Sequence, residues 1–374
     1  MRLRFTSAAA VCLLWLTGVS ATTAFAAQGA RDPKTAMLAR EGWQAIQADR
    51  AQDAAQLFER ALVIDPDSAT SLLGAGLAAH LLGQPTAAKA RLQQGLEVDP
   101  ALTPASVLLG VLLYRDGDLE GAIRVYEAAL ARAPGEPQLL SRLERWRKEA
   151  ELHDAFRRTM STNFTVLFEG PAEESLAAKA LEMLEAAYWR VGTVLFTYPA
   201  EATTVVLYTQ EQFRDITRSP GWAGGLFDGK IRVPVRGALE HPEEFERVLT
   251  HEFTHALVRS LAARNVPTWL NEGLAGVFER GDLSWAEQTA RDAKTLIPLE
   301  RLHGPFSGFS GTEAKLAYAE GALAARYLLD QSGAPPIVAL LQDVGRGVGF
   351  AEAFSQRALM PYADFQTAWM GQAK

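Results

Sequence analysis

From about Ala36 to Glu136 apolar residues recur at helical spacing, and the spacing itself repeats. Gly42, Gly76 and Gly110 stand 34 residues apart, as do Ala54, Ala88 and Ala122, then Phe58, Leu92 and Tyr126, then Pro66, Pro100 and Pro134. Four marks held at one period predict three helix-turn-helix units stacked in an array. Small residues let paired helices approach and large ones fill the gap. Proline, which cannot continue a helix, ends the second helix of each pair. From Pro137 to about Arg158 the pattern predicts a capping helix with Arg and Glu on its outer face.

Near Met160 the period changes. Residues 163–169 alternate as a strand, 172–196 form a long helix, and the β-branched run 203–208 is a second strand. A short helix over 210–217 leads to Gly221, Gly224, Gly225 and Gly229, which mark a flexible connection. Residues 231–235 read as a strand whose Pro234 lacks a ladder donor, which favours a sheet edge. Helices follow: Pro242 to about Ala263, with proline suited to the first turn, another from near Pro267, then 312–329, 336–344 and 363–370. Strands followed by helices predict an α+β domain over 160–372, behind an all-α array over 36–158.

Composition changes the picture at one end. Arg2 and Arg4 precede an apolar run through Val19, with Ala24-Phe25-Ala26 behind it. That order predicts a secretory signal peptide over 1–26 and an exported protein, periplasmic or secreted. An uncleaved membrane anchor is the rival, but the run is short and a cleavage signal follows. No stable anchor is expected once the segment is removed. Removal moves the formal charge from −7 to −9, which argues against a nucleic-acid partner. It also removes Cys12, the only cysteine, so disulfides and thiolate metal ligands are unavailable. Any metal must use histidine and carboxylate.

The chemistry lies in His251-Glu252-Phe253-Thr254-His255 and in Pro267-Thr268-Trp269-Leu270-Asn271-Glu272-Gly273. Two histidines four apart on a helix share a face and can share one metal ion. Glu252 between them is placed to take a proton from a bound water. Glu272, sixteen residues after His255, is the candidate third ligand, on a stripe with Trp269, Ala275 and Gly276. Two histidines and one glutamate leave a fourth position open, as in catalytic rather than structural zinc sites. The expected edge strand would hold an extended peptide through the backbone of Ile231, Arg232 and Val233.

The array resembles the tetratricopeptide family, which binds a peptide or protein partner in its concave face. On that pattern Ala39, Trp43, Leu73, Leu77, Val107 and Val111 line the face, and whether they meet a partner or pack on other protein surface is open. HEFTH followed by WLNEG resembles the gluzincin zinc peptidases, most closely the peptidase MA-like domains. The resemblance implies one zinc ion per chain held by His251, His255 and Glu272, with Glu252 as general base. The metzincin branch needs a histidine where Leu261 stands. Tyr318-Ala319-Glu320-Gly321 resembles the Tyr-x-x-Gly of zinc aminopeptidases, which implies Tyr318 as oxyanion donor. His303 is the alternative for that role, and Tyr327 reads as core.

Those aminopeptidases also carry Gly-x-Met-Glu-Asn, whose glutamate grips the substrate's amine. Here Gly225-Leu226-Phe227-Asp228-Gly229 lacks the Glu-Asn pair, leaving Asp228 as a substitute. Endopeptidase action on a peptide or protein is therefore expected over aminopeptidase action. A repeat scaffold with an inactive or regulatory zinc domain, and zinc-dependent hydrolysis of another amide, are the other readings.

Overall fold

The computed structural model describes residues 32–48, 50–218 and 224–372, so the expected signal segment and Gly221 lie outside the described residues. The chain divides into two units, Met1–Glu151 and Leu152–Lys374. No helix among the described residues is long and apolar enough to cross a membrane.

The first unit holds three helix pairs: α1 (Pro33–Gln47) with α2 (Ala51–Ile64), α3 (Ala69–Leu81) with α4 (Pro85–Val98), and α5 (Thr103–Arg115) with α6 (Leu119–Arg132). The period-34 glycines sit where large side chains press in. A Cβ on Gly42 would lie 2.8 Å from the Phe58 ring, one on Gly76 2.8 Å from Leu92, and one on Gly110 2.3 Å from the Tyr126 ring. Ala54, Ala88 and Ala122 are fully buried beside them. Pro66, Pro100 and Pro134 occupy turns just past the ends of α2, α4 and α6. Ala39, Trp43, Leu73 and Leu77, expected on a concave face, belong to the buried core of the array, while Val107 and Val111 are half-buried.

Helix α7 (Pro137–Ala155) caps the array. Its Trp146 stacks on Tyr114 with centroids 4.9 Å apart, and the buried Glu149 accepts a 2.6 Å hydrogen bond from the Tyr114 hydroxyl. The helix stops three residues short of the expected Arg158, because Phe156 begins a strand.

The second unit is built on a five-stranded mixed sheet. Its strands are β1 (Phe156–Met160), β2 (Phe164–Glu169), β3 (Thr203–Tyr208), β4 (Leu226–Phe227) and β5 (Ile231–Pro234), in the order β1-β2-β3-β5-β4. β2, β3 and β5 run parallel, and the outer two strands pair antiparallel. Side chains alternate across β3 as the pleat requires. Val205 and Leu207 face a core formed with α8 (Glu174–Leu195) and α10 (Pro242–Leu261). Val206 and Tyr208 face α9 (Gln210–Thr217). The remaining helices are α11 (Thr268–Arg280), α12 (Ser284–Asp292), α13 (Gly311–Ser332), α14 (Ala334–Gly345), α15 (Phe350–Arg357) and α16 (Tyr362–Gln372). The α+β class holds.

One expectation is corrected. The strand containing Ile231, Arg232 and Val233 is not at the sheet edge, because β3 pairs with it on one side and β4 on the other. All three side chains are buried. Pro234 is the last residue of the strand, where a missing donor interrupts no continuing ladder, so it does not mark an edge. The edge belongs to β4, a two-residue strand too short to register as an alternating pattern.

Candidate metal centre

Helix α10 has two faces with different tasks. Phe245, Leu249, Phe253 and Leu257 recur every four residues and pack on the sheet. His251 is two residues from Phe253, about 200° round the helix, so it projects away from the sheet. His255 shares that face, and the two rings lie 4.7 Å apart at 87°. Glu252 is buried between these faces, and a Cβ on Gly225, just before β4, would lie 2.7 Å from its Oε1. Only glycine lets the start of the edge strand come this close to the carboxylate.

Helix α11 brings the third group. Trp269, Leu270, Leu274 and Val277 enter the helical core, leaving Glu272, Gly276 and Glu279 on the other side. Glu272 Oε2 lies 3.4 Å from His251 Nε2 and 3.6 Å from His255 Nε2. One ligand atom from each of the three residues falls within 4.8 Å of the others. Glu279 Oε2 lies 3.0 Å from His251 Nδ1. That carboxylate accepts the Nδ1 proton, leaving Nε2 free to bind a metal. His255 Nδ1 is buried and has no such partner among the described residues.

Electrostatics follow from burial and from opposite charges held close. Burial pushes the Glu252 carboxyl up, against the pull of His255 and His251. Burial would also raise Glu272, but His255 and His251 outweigh it and hold that carboxyl well below the usual range. Burial opposes charge on His251, yet its hydrogen bonds to Glu272 and Glu279 keep it well above the ordinary histidine value. The donors fit a zinc-type ion: two imidazole nitrogens and one carboxylate converge, and no thiolate is needed.

Helices α11 and α13 touch through main chain. A Cβ on Gly273 would lie 2.2 Å from the Gly321 carbonyl oxygen, and one on Gly321 3.0 Å from the Trp269 carbonyl. This approach brings Tyr318, one turn before Gly321, to a cavity of about 370 Å³. His251, Glu272, Gly276, Glu279, Trp285 and Lys315 also line it. Burial and the charges of Glu272 and Glu252 keep the Tyr318 hydroxyl protonated far above its ordinary value.

The other sequence candidates are placed elsewhere. His303 Nε2 lies 2.8 Å from the Tyr362 hydroxyl, which accepts a 3.0 Å bond from Trp269 Nε1. Tyr327 stacks on Phe365 in the core. Asp228 accepts from Arg232 Nε with both oxygens, at 3.0 and 3.1 Å. Sequence reasoning missed Glu279 and Lys315. Glu279 stands seven residues after Glu272, two full turns on, and that spacing was the available signal.

A mixed sheet is thus backed by a helix with paired histidines, answered by a carboxylate from the next helix. Residues 198–372 match the Peptidase MA superfamily, and residues 39–88 and 82–137 match the tetratricopeptide repeat. The chain therefore carries a Peptidase MA superfamily domain preceded by tetratricopeptide repeats. No curated protein matches it.

Proposed function

We propose that this chain is an exported zinc-dependent endopeptidase whose repeats bind a protein partner or substrate. The observation that carries the reading is the convergence of His251, His255 and Glu272 beside the buried Glu252, with Tyr318 on the same cavity wall. His251, His255 and Glu272 would hold the zinc ion. When bound, it would acidify a water and polarise the scissile carbonyl. Glu252, its pKa raised by burial, takes the water's proton at neutral pH and returns it to the leaving nitrogen. The Tyr318 hydroxyl, which stays protonated, donates to the oxyanion. Glu279 fixes the His251 tautomer.

The substrate backbone is assigned to β4, the edge strand beside Glu252, in place of Ile231 to Val233. Asp228 stands where an aminopeptidase has its amine-gripping glutamate, and its charge is already matched by Arg232. That pairing favours cutting within chains over trimming their ends. The apolar segment over 1–26 supports export.

Glu252→Gln tests the reading. The variant is expected to keep stoichiometric zinc and lose peptide cleavage, whereas Glu272→Ala loses the metal. A zinc-loaded Glu252→Gln protein that still cleaves would end the assignment, and so would a wild-type protein that binds no zinc.

A further inference from the structure

Lys315 is exposed on α13, one turn before Tyr318, and lines the same cavity as His251 and Glu272. The cavity's carboxylates are already engaged. Glu272 faces both imidazoles, and Glu279 holds His251 Nδ1. Lys315 forms no ion pair among the described residues. Arg190, Arg232, Arg247, Arg291 and Arg357 of the same unit each pair with a carboxylate, while Lys179, Arg214, Arg236 and Lys294 pair with none among the described residues. What sets Lys315 apart is its place: it lines the cavity where a substrate would lie, and the carboxylates there are held by the imidazoles.

The rest of the wall describes that ligand's shape. Trp285 offers an apolar surface, and Gly276 has no side chain to occupy the space. The cavity therefore has room for an apolar stem and a single cation to meet the stem's end. A lysine ammonium is a compact charge with three donors on a flexible stem, so it follows a carboxylate without demanding a fixed bidentate geometry.

We propose that Lys315 is a specificity-determining residue that binds a carboxylate of the substrate close to the scissile bond. The proposal rests on the peptidase reading above. The carboxylate comes from an Asp or Glu side chain or from a free C-terminus, two sources with one chemistry.

Three matched peptides test it: one with an internal Glu and an amidated C-terminus, one with Gln and a free C-terminus, and one with Gln and an amide. Wild-type protein is expected to favour one of the first two over the third by about fivefold in kcat/KM, as an exposed ion pair supports. The preference should reside in KM. Lys315→Glu should reverse it, and Lys315→Arg should restore it. Whichever of the first two peptides is favoured identifies the source of the carboxylate. Binding of the same peptides to zinc-loaded Glu252→Gln protein, followed by fluorescence anisotropy, repeats the comparison without turnover. Preferential binding with no cleavage by wild-type protein removes the peptidase reading and leaves the carboxylate site standing. Cleavage of all three peptides alike, unchanged in Lys315→Glu, overturns the carboxylate site and leaves the peptidase.

Discussion

Glycine brings helices together in both units, but against different partners. In the repeats Gly42, Gly76 and Gly110 make room for the side chains of Phe58, Leu92 and Tyr126. In the peptidase unit Gly273 makes room for a main-chain carbonyl, that of Gly321. A side chain can be exchanged or can turn aside, whereas a carbonyl inside a helix cannot. The repeats are thus spaced by side chains, whereas α11 and α13 beside the candidate metal centre are clasped by backbone. The backbone clasp recurs where the His303 carbonyl accepts the Thr268 N–H, and the Glu320 side chain on α13 adds a further tie by accepting the Ile297 N–H with both oxygens. A backbone clasp fixes the approach of α11, which carries Glu272, to α13, which carries Tyr318; side-chain spacing only has to keep an array stacked.

The largest expected effect tests the clasp directly. Gly273→Ala puts a methyl 2.2 Å from the Gly321 oxygen, so α11 must move away from α13. Overpacking of this kind costs about 3 kcal/mol, measured as a shift in urea midpoint, and zinc affinity should fall with it because Glu272 is the next residue. Adding Ala325→Gly should not rescue it, since the Ala325 methyl, 2.8 Å away, is the lesser obstacle. Wild-type stability in Gly273→Ala would break the comparison.

Glu320 sharpens it through pH. Burial pushes this carboxyl up to about 7 from an ordinary 4.5, the Ile297 N–H holding it back. A value raised by folding means the folded state binds the proton more tightly. Its contribution to stability is complete below pH 4.5 and is lost as pH rises through about 7. The swing is on the order of 3 kcal/mol at most. Glu320→Gln keeps an acceptor for Ile297 and removes the titration, so its Tm should vary less than wild type's between about pH 5 and 8. Parallel pH profiles for the two proteins would show that the carboxyl does not titrate there.

The repeat side of the comparison predicts rescue. Gly110→Ala places a methyl 2.3 Å from the Tyr126 ring and should cost about 2 kcal/mol in urea unfolding. Combined with Tyr126→Leu, the loss should fall short of the sum of the single changes by about 1 kcal/mol, because the shortened side chain vacates the space. Strict additivity would mean that the ring is held as rigidly as a carbonyl.

The same contrast explains what was legible. The array could be read because each glycine meets its large residue within one repeat, so the exchange shows as a period. His251 and His255 were legible for a similar reason, one helical turn being a local rule. Lys315 enters the site only through the Gly273 and Gly321 contact, between residues 48 apart in sequence, and no local pattern announces that. Glu279 shares a helix with Glu272, and only their seven-residue spacing pointed to it. The edge strand was misassigned because β4 contributes two residues and β1 carries the unalternating Phe156-Arg157-Arg158-Thr159-Met160. Helices α12 and α15, nine and eight residues long, were not delimited, although α9, equally short, was. Asp228 was read as a substitute for the amine-gripping glutamate, and its ion pair with Arg232 depends on a hairpin turn that composition alone does not specify.

The smallest expected effect lies at the other end of the clasp on α11. The His303 carbonyl holds the Thr268 N–H at 3.1 Å, while His303 Nε2 lies 2.8 Å from the Tyr362 hydroxyl, which accepts from Trp269 three residues before Glu272. Burial lowers the His303 pKa, against the charge of Glu300, so the ring stays neutral and keeps its acceptor to lower pH than an ordinary histidine. His303→Ala removes the side-chain bond and leaves the backbone one. If backbone clasps position the metal ligand, stability should fall by about 1 kcal/mol, the worth of one hydrogen bond, and His303→Gln should recover it. Zinc affinity, measured by competition with a chelator, should change by less than tenfold, below what loss of a group bonded directly to a ligand costs. A larger loss in His303→Ala, restored by His303→Gln, would mean that the side-chain chain through Tyr362 and Trp269, rather than the main-chain bond to Thr268, holds Glu272 in place.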